Sequence, residues 1–384
     1  MLNTPVRLSV DETHRPNPRQ LDLPPRLLLG PGPSNSHPRV LQALSLPTIG
    51  HLDPVFLDLM TDVQELLRYA WQTDNRVTIP VSGTGSAGME AALANSLEPG
   101  DRIVIGVNGY FGERLVDMAG RYGGVVQRLE KNWGEVFSLA ELERALDDYR
   151  PAVLALVHAE TSTGARQPLD GVGDLCRQYN CLLLVDTVTS LAGLPLYVDA
   201  WGIDIAYSGS QKCLSCPPGL APLTFNARAL EKLQRRRAPV ANWYLDLSLV
   251  SKYWGQERTY HHTAPINMNY ALREALRLVA EEGLEARWAR HQANAELLWA
   301  GLADLGLECH VPLEHRLPTL TTVRIPPGVD GKAVQRALLN GFNIEIAGAL
   351  GQLAGRVWRV GLMGYNSRPE NVALLLAALR QVLG

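Results

Sequence analysis

The sequence predicts an α/β protein: a large unit around a mostly parallel sheet, then a smaller α+β unit. Three observations predict it. From about residue 25 to 265, short apolar runs alternate with amphipathic helical patterns, as in a sheet covered on both faces. The runs RIVIGV, AVLALVHAE, CLLLVDTV and DIAYSG are rich in Val, Ile and Leu over most of their length, as strands buried on both sides are. After about residue 266 the texture changes to two long helical patterns followed by mixed elements. A chain of 384 residues is also too long for one core of ordinary size.

Taken in order, residues 1–25 are rich in Pro, Asn, Arg and Asp and read as an arm. The large domain is placed at 26–282. In it TIPV leads to the helix SAGMEAALANSL, and LAELERALDDY and GVGDLCRQY are further helices between strands. Its last helix is NMNYALREALRLVAEEG. The small domain is placed at 283–384. It contains the helix LEARWARHQANAELLWAGLADLG, the strand TLTTVRIP, the helix DGKAVQRALLNGF, the strands NIEIA and RVWRVGL, and a helix from Pro369 to Leu383.

Composition narrows the function classes. Hydrophobic residues at 46% and charged residues at 20% describe an ordinary globular protein, and a net charge of -3 gives no electrostatic reason for nucleic acid. No run of 18 apolar residues predicts a membrane span. The polar N-terminus lacks a signal-peptide core, and the terminal QVLG is not a peroxisomal address, so a cytoplasmic protein is expected. Of five cysteines, Cys213 and Cys216 have CxxC spacing, but no second pair accompanies them. Free thiols in a reducing compartment, packing their loop, are expected rather than a metal site.

Three places carry chemistry. In VSGTGSAGMEAAL a strand runs into a glycine turn and a helix start. Free backbone N–H groups and the helix dipole there suit a phosphate. The Gly83, Gly85, Gly88 spacing fits neither a Walker loop nor GxGxxG. Asp186 ends the apolar run CLLLVD, where it is either a helix cap or the partner of a cationic group. Lys212, in YSGSQKCLSCPP, has no acidic neighbour. It either snorkels to solvent or holds its amine for chemistry, because burying a lysine without a partner is costly. All three fall at the carboxyl ends of strands, where ligands of open α/β sheets gather. An anion site, a carboxylate and an amine together suit pyridoxal 5′-phosphate, which needs a phosphate cradle, an acid at its pyridine nitrogen and a lysine for its Schiff base.

The blocks LLLGPGPSN, SGTGSAGMEAAL, LEPGDRIVIGVNGYFGER, HAETSTGARQPLDG, LLLVDTVTSLAGLPLYVD, GIDIAYSGSQKCLSCPPG, YHHTAP and WRVGLMG resemble, in this order, the class V aminotransferases of fold type I. The resemblance spans nearly the whole chain and implies a seven-stranded sheet in the large domain. It implies that Lys212 is the Schiff-base lysine and the base that moves a proton between substrate and cofactor. Asp186 would pair with the pyridine nitrogen, Val188 would pack on one ring face and Phe111, where many relatives have Trp, would stack on the other. Thr161 would bond the phenolic oxygen, or instead cap the turn before Gly164. The phosphate would meet Gly85 and Ser86 backbone N–H groups and the Gln211 side chain; some relatives carry His at the Ser86 position. Tyr260 and Thr263 would reach it from a second subunit of an obligate homodimer. Arg359 would bind the substrate α-carboxylate, or else form a structural ion pair.

The resemblance implies transfer of an amino group from a small amino acid to a 2-oxo acid, with L-alanine and glyoxylate the expected pair. Serine as donor is the nearest rival. Aminoethylphosphonate–pyruvate transamination needs a phosphonate site that the sequence does not show. A cysteine desulfurase needs a reactive cysteine on a mobile loop, and Cys309 lies in a segment unlike one. A non-catalytic relative is disfavoured by the presence of Lys212, Asp186 and Arg359 together.

Overall fold

The computed structural model describes residues 10–384, so the first nine residues of the expected arm lie outside it. Seven strands form the main sheet: β1 (Val77–Ser82), β2 (Arg102–Val107), β3 (Val125–Glu130), β4 (Val153–Val157), β5 (Leu182–Asp186), β6 (Ile205–Tyr207) and β7 (Leu220–Phe225). Their spatial order is β3-β2-β4-β5-β6-β7-β1, and only β7 runs antiparallel to its neighbours. Every residue of β4 and β5 is buried, which explains their unbroken apolar sequence: helices cover both faces. The carboxyl ends of the parallel strands share one edge, which gathers the loops that follow them.

Two elements escape the periodicity reading. The helix Pro54–Trp71 starts at the cap Asp53, which accepts from Val55 N–H, and buries Phe56, Met60, Val63, Leu67 and Trp71. Its Asp-Pro start was the available signal. Strand β7 contains Pro222, which argues against a central strand because proline cannot donate to a ladder. The register resolves this by setting Pro222 opposite Pro80 of β1, so the two residues that cannot donate face each other.

The C-terminal part carries a second sheet of β8 (Leu320–Arg324), β9 (Ala347–Gly348) and β10 (Val357–Gly361), in the order β8-β10-β9 and antiparallel throughout. The expected strand NIEIA is split. Ile344–Glu345 pairs in parallel with Leu27–Leu28, whereas Ala347–Gly348 pairs with β10. The helix Pro369–Leu383 has the bounds expected. Two large hydrophobic clusters and a small one, which joins Ala159, Leu194 and Cys213 to Leu317, Leu320 and Met363, fill the molecule. One large cluster extends from Val40 to Trp288, and the other joins Leu29 to residues from Leu298 to Leu379. No helix among the described residues is long and apolar enough to cross a membrane.

Leu27–Ser34 stitches the two parts together. Leu29 accepts from Gly361 N–H at 2.8 Å, and Ser34 N–H donates to Gln211 O at 2.9 Å. A Cβ on Gly361 would sit inside the contact distance of Gly30 O. Gly361→Ala is therefore expected to lower stability in urea unfolding by about 2 kcal/mol, within the range for overpacking. Gly341, in the exposed end of the helix Gly331–Phe342, has open space for a Cβ. Gly341→Ala should instead stabilise by roughly 0.5 kcal/mol.

Candidate active site

Lys212 lies in the loop after β6 and is only 9% exposed. It does not snorkel. Its Nζ donates to the carbonyl of Pro31, and its side chain lies over Gly32, where a Cβ would be 2.6 Å from both Cδ and Nζ. Gly32 has a φ of +105°, so the close approach and the backbone conformation both call for glycine. Ser34 Oγ clamps the same loop by donating to Lys212 O at 2.8 Å. Burial lowers the amine from the usual 10.5 to about 8, with Arg359 acting in the same direction and Asp186 opposing. A lysine so placed is readily deprotonated.

Asp186 ends β5, buried. Its Oδ1 accepts from Val188 N–H at 2.8 Å and its Oδ2 from Tyr207 O–H at 2.7 Å. Burial raises this carboxyl to about 6 against those two bonds. A carboxylate has about four lone-pair sites, which leaves room for a third donor. No helix follows Asp186 directly, so it is not a helix cap: its bond to Val188 closes a turn. Tyr207 ends β6 directly opposite Asp186 in the register; sequence reasoning missed it because that pairing is made across strands.

The glycine turn after β1 opens the helix Gly85–Ser96 at a Thr84 cap whose side chain makes no capping bond. Gly85 is beside Val188, with a Cβ on it 3.4 Å from Val188 Cγ2, and Gly209 Cα is 3.7 Å away. Gln211 reaches the same place, because a Cβ on Gly209 would be 2.8 Å from its Oε1. That Oε1 is buried and has no hydrogen-bond partner among the described residues. A half-turn of the amide would present Nε2, a donor. An orphaned amide beside an uncapped helix start fits a phosphate.

Phe111 follows β2 on the helix Tyr110–Arg121. Glu160, fully buried after β4, accepts from Phe111 N–H at 3.0 Å and from Gly112 N–H at 3.4 Å. Its other oxygen accepts from Ser162 N–H at 3.0 Å and Ser162 O–H at 2.6 Å. Burial raises the carboxyl to about 7 despite these bonds. Glu160 was overlooked, although it ends an apolar run just as Asp186 does. The turn before Gly164 is closed by Glu160 O, which accepts from Gly164 N–H at 2.8 Å and Thr163 Oγ1 at 3.4 Å. Thr161 is not that cap.

Arg359 lies in β10, 6% exposed. Its Nε donates to Gly348 O at 2.9 Å and its Nη1 to Thr161 O at 3.4 Å. Among the described residues no carboxylate lies within 4.0 Å, so it is not a structural ion pair. A nearly buried guanidinium held by carbonyls alone is suited to an anionic guest. β10 thus brings a cation from the second sheet to the edge of the first.

Tyr260 is 57% exposed and Thr263 is exposed in the protomer. The adjacent histidines of YHHT face each other: His261 Nδ1 and His262 Nδ1 are 2.8 Å apart with rings at 89°. Trp243 stacks on His261 at 4.5 Å, and Ser82 holds His262 Nε2 at 2.9 Å, which turns the rings together. Cys213 and Cys216 are buried free thiols; burial pushes Cys213 up to about 12, and Cys213 donates to Thr189 O at 3.2 Å.

The family model for class-V aminotransferases matches residues 28–374. The chain belongs to the class-V aminotransferase family. A crystal structure of alanine–glyoxylate aminotransferase from Nostoc sp. superposes with a TM-score of 0.97 at 66% identity, covering 98% of this chain and 100% of that one. Rat (Rattus norvegicus) alanine–glyoxylate aminotransferase is 46% identical over 95% of this chain and 89% of its own length. The (S)-ureidoglycine–glyoxylate transaminase of Bacillus subtilis is 42% identical over 95% of this chain and 92% of its own. As in this family, the seven-stranded sheet is that of fold type I, and the protein is a transaminase.

Between pH 8 and 10.5 the unfolded chain of this aminotransferase holds a proton on Lys212 that the folded chain releases. Stability of the cofactor-free protein therefore rises with pH across that window. Lys212→Met, which removes the charge, should melt higher than wild type at pH 7, by the equivalent of roughly 3 kcal/mol. The difference should vanish above about pH 10.5; a constant difference across thermal melts at both pH values would show that Lys212's charge is not the cause.

Proposed function

We propose that the protein is a pyridoxal-phosphate transaminase that moves the amino group of L-alanine to glyoxylate, giving pyruvate and glycine. The observation that carries this reading is the meeting of a desolvated lysine with an unpaired buried arginine at one sheet edge. The names borne by the Nostoc and rat relatives support the substrate pair.

When bound, pyridoxal phosphate supplies an electron-withdrawing ring that lets the substrate Cα lose its proton. The remaining roles belong to this chain. Gly85 and Ser86 backbone N–H groups and Gln211 would hold the phosphate, and Phe111 and Val188 would sandwich the ring. Asp186 would keep the ring nitrogen protonated, with Tyr207 fixing its carboxylate. Thr161 would donate to the phenolic oxygen. Arg359 would orient the substrate by its carboxylate, so that the Cα–H faces Lys212. The neutral Lys212 amine would take the proton from the substrate Cα and hold it for return. Pyruvate, its keto oxygen supplied by water, would leave before glyoxylate enters, and both substrates fit one site because each presents a single carboxylate.

We also propose a homodimer whose second copy supplies Tyr260 and Thr263. The exposed Trp243, Tyr244 and Tyr260 around His261, whose buried Nε2 has no partner, support a contact there. The two large hydrophobic clusters support domains at 26–282 and 283–384, with Leu29, Leu284 and Trp288 packing across that boundary. A cytoplasmic location fits the five free cysteines. Cys309 pairs with Val323 in an isolated bridge and its thiol is raised by burial, which speaks against a desulfurase nucleophile.

Purified protein should show a visible cofactor band that is lost with L-alanine and returns with glyoxylate. A response to L-serine or (S)-ureidoglycine but not to alanine would move the donor assignment, the second being the donor of the Bacillus relative. Arg359→Gln should cut kcat/KM for alanine by about tenfold to a hundredfold, as for loss of a charge-assisted pair. The cofactor band itself should be unchanged; a loss confined to cofactor binding would contradict the role given to Arg359.

A further inference from the structure

Arg114 is unused by the reading above, and its surroundings give it a task. It lies one helical turn after Phe111 on the helix Tyr110–Arg121. Its guanidinium is 5.0 Å from the Phe111 ring centroid and 5.3 Å from that of Tyr110. Those two rings stand edge to face at 5.9 Å and hold the arginine between them. From there Nη1 donates to Ser86 Oγ at 3.1 Å. Among the described residues no carboxylate lies within 4.0 Å of Arg114. A half-buried arginine spaced by two aromatic rings and aimed at an uncapped helix start has a free fork where an anion is expected.

We infer that Arg114 is a further phosphate-binding residue of the cofactor site, supplied by the protomer's own chain. The inference rests on the reading of the site as one for pyridoxal phosphate. The chemistry has two parts. The guanidinium brings a full positive charge beside the backbone N–H groups of Gly85 and Ser86 and the orphaned Gln211 amide. By donating to Ser86 Oγ, it also occupies a lone pair of that hydroxyl. The hydroxyl hydrogen is then free to donate to a phosphate oxygen. Ser86 so held does what a longer side chain would do at this position. The same helix carries Phe111, a smaller stacking surface than tryptophan, so one helix supplies both the ring contact and the charge.

The test uses the full-length protein stripped of cofactor and titrated separately with pyridoxal phosphate and with pyridoxal, which lacks the phosphate. Binding is read from the visible absorbance and from quenching of tryptophan fluorescence. For Arg114→Gln, the dissociation constant for pyridoxal phosphate should rise at least about tenfold, the loss of one charge-assisted contact. That for pyridoxal should stay within about twofold. Equal weakening toward both ligands would make Arg114 a support for the Phe111 ring and overturn the inference, as would no weakening toward either. If Arg114→Gln does not fold by thermal melting, Arg114→Lys is read in its place. It keeps the charge without the fork and should show a smaller loss, still confined to pyridoxal phosphate. Failure of the wild-type protein to bind pyridoxal phosphate at all would instead reject the cofactor reading itself.

Discussion

The burial of Lys212 without a bonded carboxylate is the constraint on which the rest of the site depends. Its amine meets only the Pro31 carbonyl directly, and desolvation outweighs the pull of Asp186. Such a lysine costs stability below its folded pKa, so the fold has to offset it elsewhere. The offset comes from cores on both sides and from a clamp made of Leu29, Gly32 and Ser34. Gly32 lacks a side chain because the lysine lies there, and Gly361 lacks one because the clamp strand passes over it. An N-terminal segment far from Lys212 in sequence therefore fixes where the amine points.

Charge at the site is deliberately unpaired. Many arginines of this chain face a carboxylate, as Arg128 does Glu113 and Arg290 does Glu282. Arg359 and Arg114 have none, whereas the buried acids Asp186 and Glu160 are held by hydroxyl and backbone donors. Both acids are raised by burial, and the charge of Asp186 raises Glu160 further. Pairing these acids with these arginines would relieve both, yet the backbone keeps them apart. Cations left without acids favour anionic guests, and acids left without cations favour a protonated ring nitrogen.

What was legible in the sequence follows from what kind of information each feature carries. β4, β5 and the helix Pro369–Leu383 are local patterns, and the sequence shows them directly. Lys212, Asp186 and the Gly85 turn were also readable, since each breaks an apolar run at a strand end. Strand β7 was hidden, because its proline is excused only by the partner proline across the register. NIEIA was read as one strand because its two halves differ only in which distant segment they pair with. The contacts of Tyr207 and of Pro31 are through-space facts with no local mark. Tyr260 and Thr263 are exposed in the protomer, as the proposed contact with a second copy would require.

Glu160 shows how a fold can position several residues of one site with a single side chain. Its two oxygens reach in opposite directions, one to the start of the Phe111 helix and one to the turn carrying Thr161. A Cβ at Gly109 would collide with its carboxyl group, so the helix start has been opened to admit it. Thr161 in turn offers its carbonyl to Arg359, which couples the second sheet to the same carboxylate. Phe111, Thr161 and Arg359 are thereby held relative to one another through a single buried acid. A helix N-terminus normally takes its cap from its own chain neighbours. Taking it here from the end of another strand ties the position of Phe111 to the sheet rather than to its own loop.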